Sequence, residues 1–410
     1  MFRGGIKMCD NLTDILKNNG VNQSEAMSNY RNNYVWKTVE ELESITEFPD
    51  PFIMHDGNRV ISIDDWDKQR LYLKEMLAHY MYGHMPQVPD NISGEVISQT
   101  LIYDDKAIVK SISIKCGPME QVKFNMRLVY PNKEGFFPII IKNDWDEKAL
   151  CPIEEKIVVD RGYAIAVFNR GCLAPDALDY TKGVYPVYPN YDWRTLAVWA
   201  WGYSLVIDYL SNEKYIDLSK ICATGHSRGG KAALCAGIFD ERIKVVVPNG
   251  SGCGGVGSLR FIGGHNGFSQ NPNECETVGR ITSAFPYWFI SEFRDFGGAT
   301  KPHDIKNESK FPFDAHFLRA LIAPRACLST DGFHDDWANP YGTQLSWQGA
   351  QPVYDLLGVS ENNAIFVRDG LHDQNAEDWK ALVDYCDKVL NGKSVETVFN
   401  NARFDNVKMS

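Results

Sequence analysis

The chain has 410 residues, 44% of them hydrophobic and 23% charged, with a formal net charge of −11. That length suffices for one large domain or two ordinary ones, and the composition is that of a water-soluble globular protein. The acidic balance argues against a nucleic-acid partner and against docking on anionic membranes, and no run approaches the roughly 18 apolar residues of a membrane span.

The first sixty residues are polar and rich in asparagine, up to the turn-like Phe48-Pro49-Asp50-Pro51-Phe52. They predict a partly helical segment, 1–60, that wraps the core. No apolar stretch of secretory type opens the chain, so the expected location is the cytoplasm. Asp64–Tyr82 has helical periodicity, with Trp66, Leu71, Leu73, Met76, Leu77 and Tyr80 on its apolar face. Ser93–Tyr103, Ala107–Cys116 and Gln121–Tyr130 then read as strands, the last alternating Val122, Phe124, Met126, Leu128. Such a meander predicts an antiparallel edge.

Beyond Tyr130 the pattern changes. Short apolar runs (Pro138–Ile141, Ala164–Phe168, Ile221–Thr224, Val245–Pro248, Ala326–Ser329, Ala364–Val367) alternate with helical segments (Trp193–Leu210, Lys231–Gly237, His316–Ile322, Asp378–Leu390). Buried strands alternating with helices predict an α/β fold: a mostly parallel central sheet covered by helices on both faces, in three layers. Ligands of such sheets bind beyond the carboxyl ends of the strands. Residues 251–315 lack regular pattern and read as a pocket-forming insertion within a single domain, 61–410. Ten cysteines are scattered without a C-x-x-C pair, which speaks against zinc clusters; Cys222, Cys235 and Cys327 lie in apolar runs and read as buried thiols.

Ile221 to Leu234 reads as strand, sharp turn and helix, and within it Gly225-His226-Ser227-Arg228-Gly229 matches G-x-S-x-G, the nucleophile elbow of α/β-hydrolases. The turn lifts the serine hydroxyl above the sheet and aims a helix N-terminus at any developing oxyanion. Gly225 to Lys231 also fits most of a phosphate-binding loop, but Ala232 stands where the magnesium-binding hydroxyl belongs. Gly252, Gly254 and Gly257 form a G-x-G-x-x-G, late in the chain and without the following helix that a dinucleotide site needs.

A serine needs a base, and the base an orienting acid. Five histidines follow Ser227: His265 and His303 in the irregular insertion, His316 at a helix start, His334 after the strand Ala326–Ser329, and His372 between the last strand and the C-terminal helix. In this fold the base comes last, which selects His372. The acid belongs on the loop after the penultimate strand, where Asp331, Asp335 and Asp336 all stand; composition does not choose among them.

These residues resemble the glucuronoyl esterases of carbohydrate esterase family 15, from about Phe48 to the C-terminal helix. The markers are the elbow with Gly230 and Lys231, Ser251-Gly252-Cys253-Gly254-Gly255, and Phe285-Pro286-Tyr287-Trp288-Phe289. Others are Asp314-Ala315-His316 with Ala323-Pro324-Arg325, then Asp335-Asp336-Trp337-Ala338-Asn339-Pro340 and Gly370-Leu371-His372. The resemblance implies an α/β-hydrolase that cleaves esters of glucuronic acid without metal or cofactor. It implies Arg228 as a side-chain contributor to the oxyanion hole, and Lys231, Glu276 and Trp337 as sugar contacts. Fungal members carry a glutamate where this chain has Gly250; members lacking it use an aspartate two residues before the tryptophan, which maps to Asp335. His226 stands where many members have cysteine, so that family disulfide is absent. The expectation is an intracellular esterase, with a uronate ester as its partner. A sugar O-acetyl esterase or a catalytically silent carbohydrate-binding homologue are the alternatives.

Overall fold

The structure, a computed structural model, describes residues 34–263, 275–297 and 307–404. Residues 1–33 of the expected wrapping segment, and 264–274 and 298–306 of the expected insertion with His265 and His303, lie outside the described residues.

Strands β1 (Ser93–Ile102), β2 (Ala107–Cys116) and β3 (Val122–Pro131) pair antiparallel in chain order. Alternation builds them: Val122, Phe124 and Met126 are buried while Lys123 and Asn125 face water. β4 (Phe137–Asp144) breaks that rule, because Ile139, Ile140 and Ile141 are all fully buried in a strand covered on both faces. With it run parallel β5 (Ala164–Asn169), β6 (Ile216–His226), β7 (Ile243–Asn249), β8 (Ala326–Gly332), β9 (Asn363–Arg368) and the short β10 (Asn400–Asn401). Among the described residues they form one sheet in the order β1-β2-β3-β5-β4-β6-β7-β8-β9-β10.

Among the described residues, helices of six residues or more are α1 (Ile63–Leu77), α2 (Pro152–Asp160), α3 (Thr195–Leu210), α4 (Arg228–Phe239), α5 (Val278–Ala284), α6 (Ala315–Ala320), α7 (Pro340–Leu356) and α8 (Ala376–Asn391). The strands divide their side chains between two cores. Ile139, Ile141, Ile221 and Val246 pack with Leu196 and Trp199 of α3, Leu234 of α4, Leu318 of α6 and Val353 of α7. Ile140, Cys222, Val245 and Leu328 pack with Val158 of α2 and Trp379, Leu382 and Tyr385 of α8. This is the three-layer arrangement expected from the alternating pattern.

Several boundaries differ from expectation for physical reasons. β4 and β6 outrun their apolar runs because their polar ends are paired inside the protein: Asn143 binds Tyr203 and Gly229, and His226 Nδ1 pairs with Asn249 Oδ1. The Asp64–Tyr82 helix ends at Leu77 and continues as a π-helical turn to Tyr82. Leu71, placed on its apolar face by periodicity, is 65% exposed. Residues 34–60 lie on α1 and α6: Trp36 stacks on Tyr72 and His79, and His316 Nε2–H donates to Pro49 O. A cavity of about 510 Å³ is lined by Ala236 and Phe239 from the far end of α4, away from Ser227.

Candidate active site

Ser227 joins β6 to α4 with φ 54° and ψ −123°, a conformation that a side-chain-bearing residue adopts only under constraint. The constraint is steric. A Cβ on Gly225 would lie 2.3 Å from Gly229 O and 2.8 Å from Asn143 Nδ2, so the turn closes only on glycine. Asn143 braces it from β4, donating through Nδ2 to Gly229 O at 2.8 Å and accepting from Arg170 at 2.9 Å. The Ser227 N–H is taken by Asn249 O at 2.9 Å, and Ser227 O accepts from Gly230 and Lys231 as the first turn of α4. The serine backbone is thus fixed on both sides while its hydroxyl points away from the sheet.

That hydroxyl lies 2.9 Å from His372 Nε2, and His372 Nδ1 lies 2.6 Å from Asp335 Oδ2. A carboxylate only accepts, so Nδ1 carries the imidazole proton and Nε2 is bare; Ser227 Oγ–H donates to it. The three side chains stand beyond β6, β8 and β9, at the carboxyl ends of parallel strands. Their loops are tied together by backbone: Phe333 N–H donates to Arg368 O and His334 N–H to Gly370 O. Arg368, which the sequence reading did not single out, is buried under the histidine loop and donates to Asp369 O, Leu371 O, Asp373 O and the Asp378 carboxylate.

The structure separates the three aspartates that composition left open. Asp335 is buried and also accepts the Ala338 N–H at 3.1 Å, which orients its carboxylate toward His372. Asp331 is not a solvated loop residue: it lies within β8, fully buried, and burial followed by the charge of Asp335 pushes its carboxyl well above the usual range. Asp336 is half-buried beside the triad acid. Gly250, with φ 49°, passes so close that a Cβ there would sit 3.4 Å from His372 Nδ1 and 3.5 Å from Asp335 Oδ2.

His226 packs its ring 4.6 Å from that of His372. Its Nδ1 lies 2.6 Å from Asn249 Oδ1, and Asn249 Nδ2 donates to Thr330, so the amide oxygen faces the ring and His226 carries its proton on Nδ1. Burial, then the neighbouring His372, lowers its pKa to about 4. A neutral imidazole therefore backs the triad base across the neutral pH range.

Arg228 opens α4. Its Nη1 lies 2.5 Å from Asp176 Oδ2, and its guanidinium lies 4.8 Å from the ring centroids of both Phe285 and Trp288. With the Gly230 and Lys231 N–H groups taken by Ser227 O, those of Arg228 and Gly229 are the first-turn donors left without a helical carbonyl behind them. The Trp145 N–H, on the loop after β4, is bonded to Asp144 Oδ1. Lys231, one turn further along α4, has no exposed side-chain surface and donates to Glu276 Oε2 at 2.7 Å and Ser251 O at 2.6 Å. Glu276 is itself 3% exposed, so a sugar hydroxyl reaches either group only by opening the pair. Glu276 N–H donates to Trp337 O, and Trp337 is half-buried with the Arg280 guanidinium 4.5 Å from its ring. Among the described residues no group of three or more His, Cys, Asp or Glu is arranged to hold a metal ion. Asp176 was missed because it lies outside every pattern used, although it follows the end of β5, where ligand-facing loops are expected.

The comparisons agree with one another. The family model described as "Glucuronyl esterase, fungi" matches residues 113–358. A 4-O-methyl-glucuronoyl methylesterase from Phanerochaete carnosa is 27% identical over 365 residues, spanning 86% of this chain and 82% of its own. A carbohydrate esterase family 15 glucuronoyl esterase from Caldicellulosiruptor kristjansonii superposes with a TM-score of 0.70 at 32% identity, over 90% of this chain and 98% of its own. A promiscuous esterase of the same family from a marine bacterial metagenome gives 0.71 at 28% identity, over 86% of this chain and 98% of its own. With its serine, histidine and aspartate in hydrogen-bonded sequence on an α/β-hydrolase sheet, the chain belongs to the glucuronoyl esterase family, carbohydrate esterase family 15, and is a carboxylic ester hydrolase.

Proposed function

We propose that this protein hydrolyses esters of glucuronic acid by two-step acyl transfer through Ser227. The observation that carries the reading is the unbroken hydrogen-bond chain from Asp335 through His372 to Ser227. His372 Nε2 takes the hydroxyl proton as Ser227 Oγ attacks the ester carbonyl. The oxyanion meets the N–H groups that open α4 and the free donors of Arg228, whose fork has five N–H groups and gives one nitrogen to Asp176. Collapse breaks the bond to the alcohol, which leaves with the proton from His372. Water then gives its proton to the same nitrogen, attacks the glucuronoyl-serine and releases glucuronate, returning the proton to Ser227.

We place the sugar on the side of the elbow bordered by Trp337 and the Lys231–Glu276 pair, which the Glu276–Trp337 backbone bond joins into one unit. Ser227→Ala is expected to lower turnover of benzyl or methyl glucuronate at least about 10⁴-fold with an unchanged circular-dichroism spectrum; undiminished turnover removes the reading. The promiscuity attributed to the marine relative favours one second reading, a sugar O-acetyl esterase with the same triad. Equal or better turnover of acetylated xylosides than of glucuronate esters would select it. A cytoplasmic location also belongs to the proposal, supported by nine free cysteines among the described residues. Recovery of the native protein from the culture medium rather than the cell lysate would overturn it.

A further inference from the structure

The Arg228 side chain is held on two sides by groups from different parts of the chain. Its Cζ lies 4.8 Å from the ring centroids of both Phe285 and Trp288, which stack on each other at 3.9 Å with an interplanar angle of 7°. Its edge meets Asp176 Oδ2 at 2.5 Å. The other oxygen of that carboxylate, Oδ1, accepts the Trp288 indole N–H at 2.8 Å, and the Asp176 backbone carbonyl accepts the Tyr287 hydroxyl at 2.8 Å. The Asp176 loop is anchored in turn: Trp199 Nε1–H donates to Ala174 O at 2.9 Å. One carboxylate thus bonds both the guanidinium and the aromatic wall on which that guanidinium rests.

An arginine side chain loses about 2 kcal/mol of rotamer freedom when held, and a donor aimed at an oxyanion is useful only if its place is set before the reaction. Aromatic contact alone leaves the guanidinium free to rotate and slide. A charged hydrogen bond to one nitrogen removes that freedom while the remaining donors stay available.

We propose that Asp176 is a positioning residue for ester cleavage: its carboxylate, bonded at one oxygen to Arg228 and at the other to Trp288, holds the Arg228 guanidinium where the oxyanion forms. This rests on the acyl-transfer reading above. The opposing possibility is that Asp176 neutralises Arg228 and restrains the reaction; the two predict opposite signs.

Asp176→Asn keeps an oxygen for the Trp288 N–H and replaces the anionic oxygen facing Arg228. It is expected to lower kcat for benzyl glucuronate about tenfold or more with KM within about twofold, because the lost contact serves the transition state. In an Arg228→Ala background the same substitution is expected to change kcat less than about twofold, since the group it positions is gone. A rise in kcat, or an equal loss in both backgrounds, overturns the proposal. Should Asp176→Asn fail to fold, Trp288→Phe, which keeps a stacked ring and removes the indole donor, is expected to lower kcat in the Arg228 background only. The same four proteins are scored by the rate of labelling with a fluorophosphonate, whose phosphonyl oxygen needs the same donors. Normal labelling of the wild type without glucuronate-ester turnover overturns the uronate reading and leaves the Asp176 comparison readable; failure of both overturns both.

Discussion

Two cations one turn apart on the helix that follows Ser227 meet carboxylates in opposite settings. Lys231 and Glu276 are sealed, at 0% and 3% side-chain exposure, whereas Arg228 and Asp176 are each about a third exposed, at 32% and 33%. Removing one partner of a sealed pair strands a charge without water and costs about 3 kcal/mol or more. An exposed pair contributes about 0–1 kcal/mol, because solvent screens it and two long side chains are immobilised. The sealed pair is therefore part of how the Ser251 turn and the Trp337 loop are held. The exposed pair does little for folding, and its geometry is better accounted for by the chemistry beside it.

The predictions sharpen that division. The largest effect belongs to the triad itself: Asp335→Asn should drop kcat about 10⁴-fold, the loss reported for the equivalent aspartate of serine proteases, with thermal stability little changed. A loss below about tenfold would point to Asp331 or Asp336 as the working acid. Next comes the sealed pair, where Glu276→Gln should cost about 3 kcal/mol or more in denaturant unfolding while Asp176→Asn costs less than about 1 kcal/mol. Equal costs would erase the distinction between the two pairs.

A pH-linked effect of similar or smaller size is expected at His226. Its pKa is about 4 in the folded chain against an ordinary value of 6.5, so the unfolded chain gains a proton first as the medium is acidified. The stability this group confers is complete above pH 6.5 and is lost as pH falls toward 4, by up to about 3 kcal/mol. The stability of the wild type relative to His226→Phe should therefore decline across that window. A flat difference curve would mean that His226 titrates normally.

Much of this was legible in the residues. The elbow is local, with a strand, the forced Gly225 and a helix within fourteen residues, and steric demand leaves few substitutes. His372 was reachable from chain order, since the base comes last of the three triad members in this fold. The choice of Asp335 was not reachable from composition, because it depends on which loop N–H groups hold a carboxylate and on Asp331 lying inside β8. Asp176 was illegible for another reason: it meets Arg228 across 52 positions and Trp288 across 112, and no local period encodes such a meeting. Helix α7 escaped notice because Gly342, Gly349 and Pro352 interrupt its pattern, and its buried face includes Thr343, Gln344 and Ser346 rather than a clean apolar stripe. Leu71 failed the other way, being apolar, in phase and exposed.

Trapping the covalent intermediate tests the central claim most directly. The full chain is mixed with benzyl glucuronate, quenched in acid within milliseconds and digested for mass spectrometry. The account predicts a glucuronoyl adduct on the peptide carrying Ser227, formed as benzyl alcohol is released and absent from Ser227→Ala. Steady ester turnover with the adduct on another residue, or with Ser227→Ala still turning over, would contradict it.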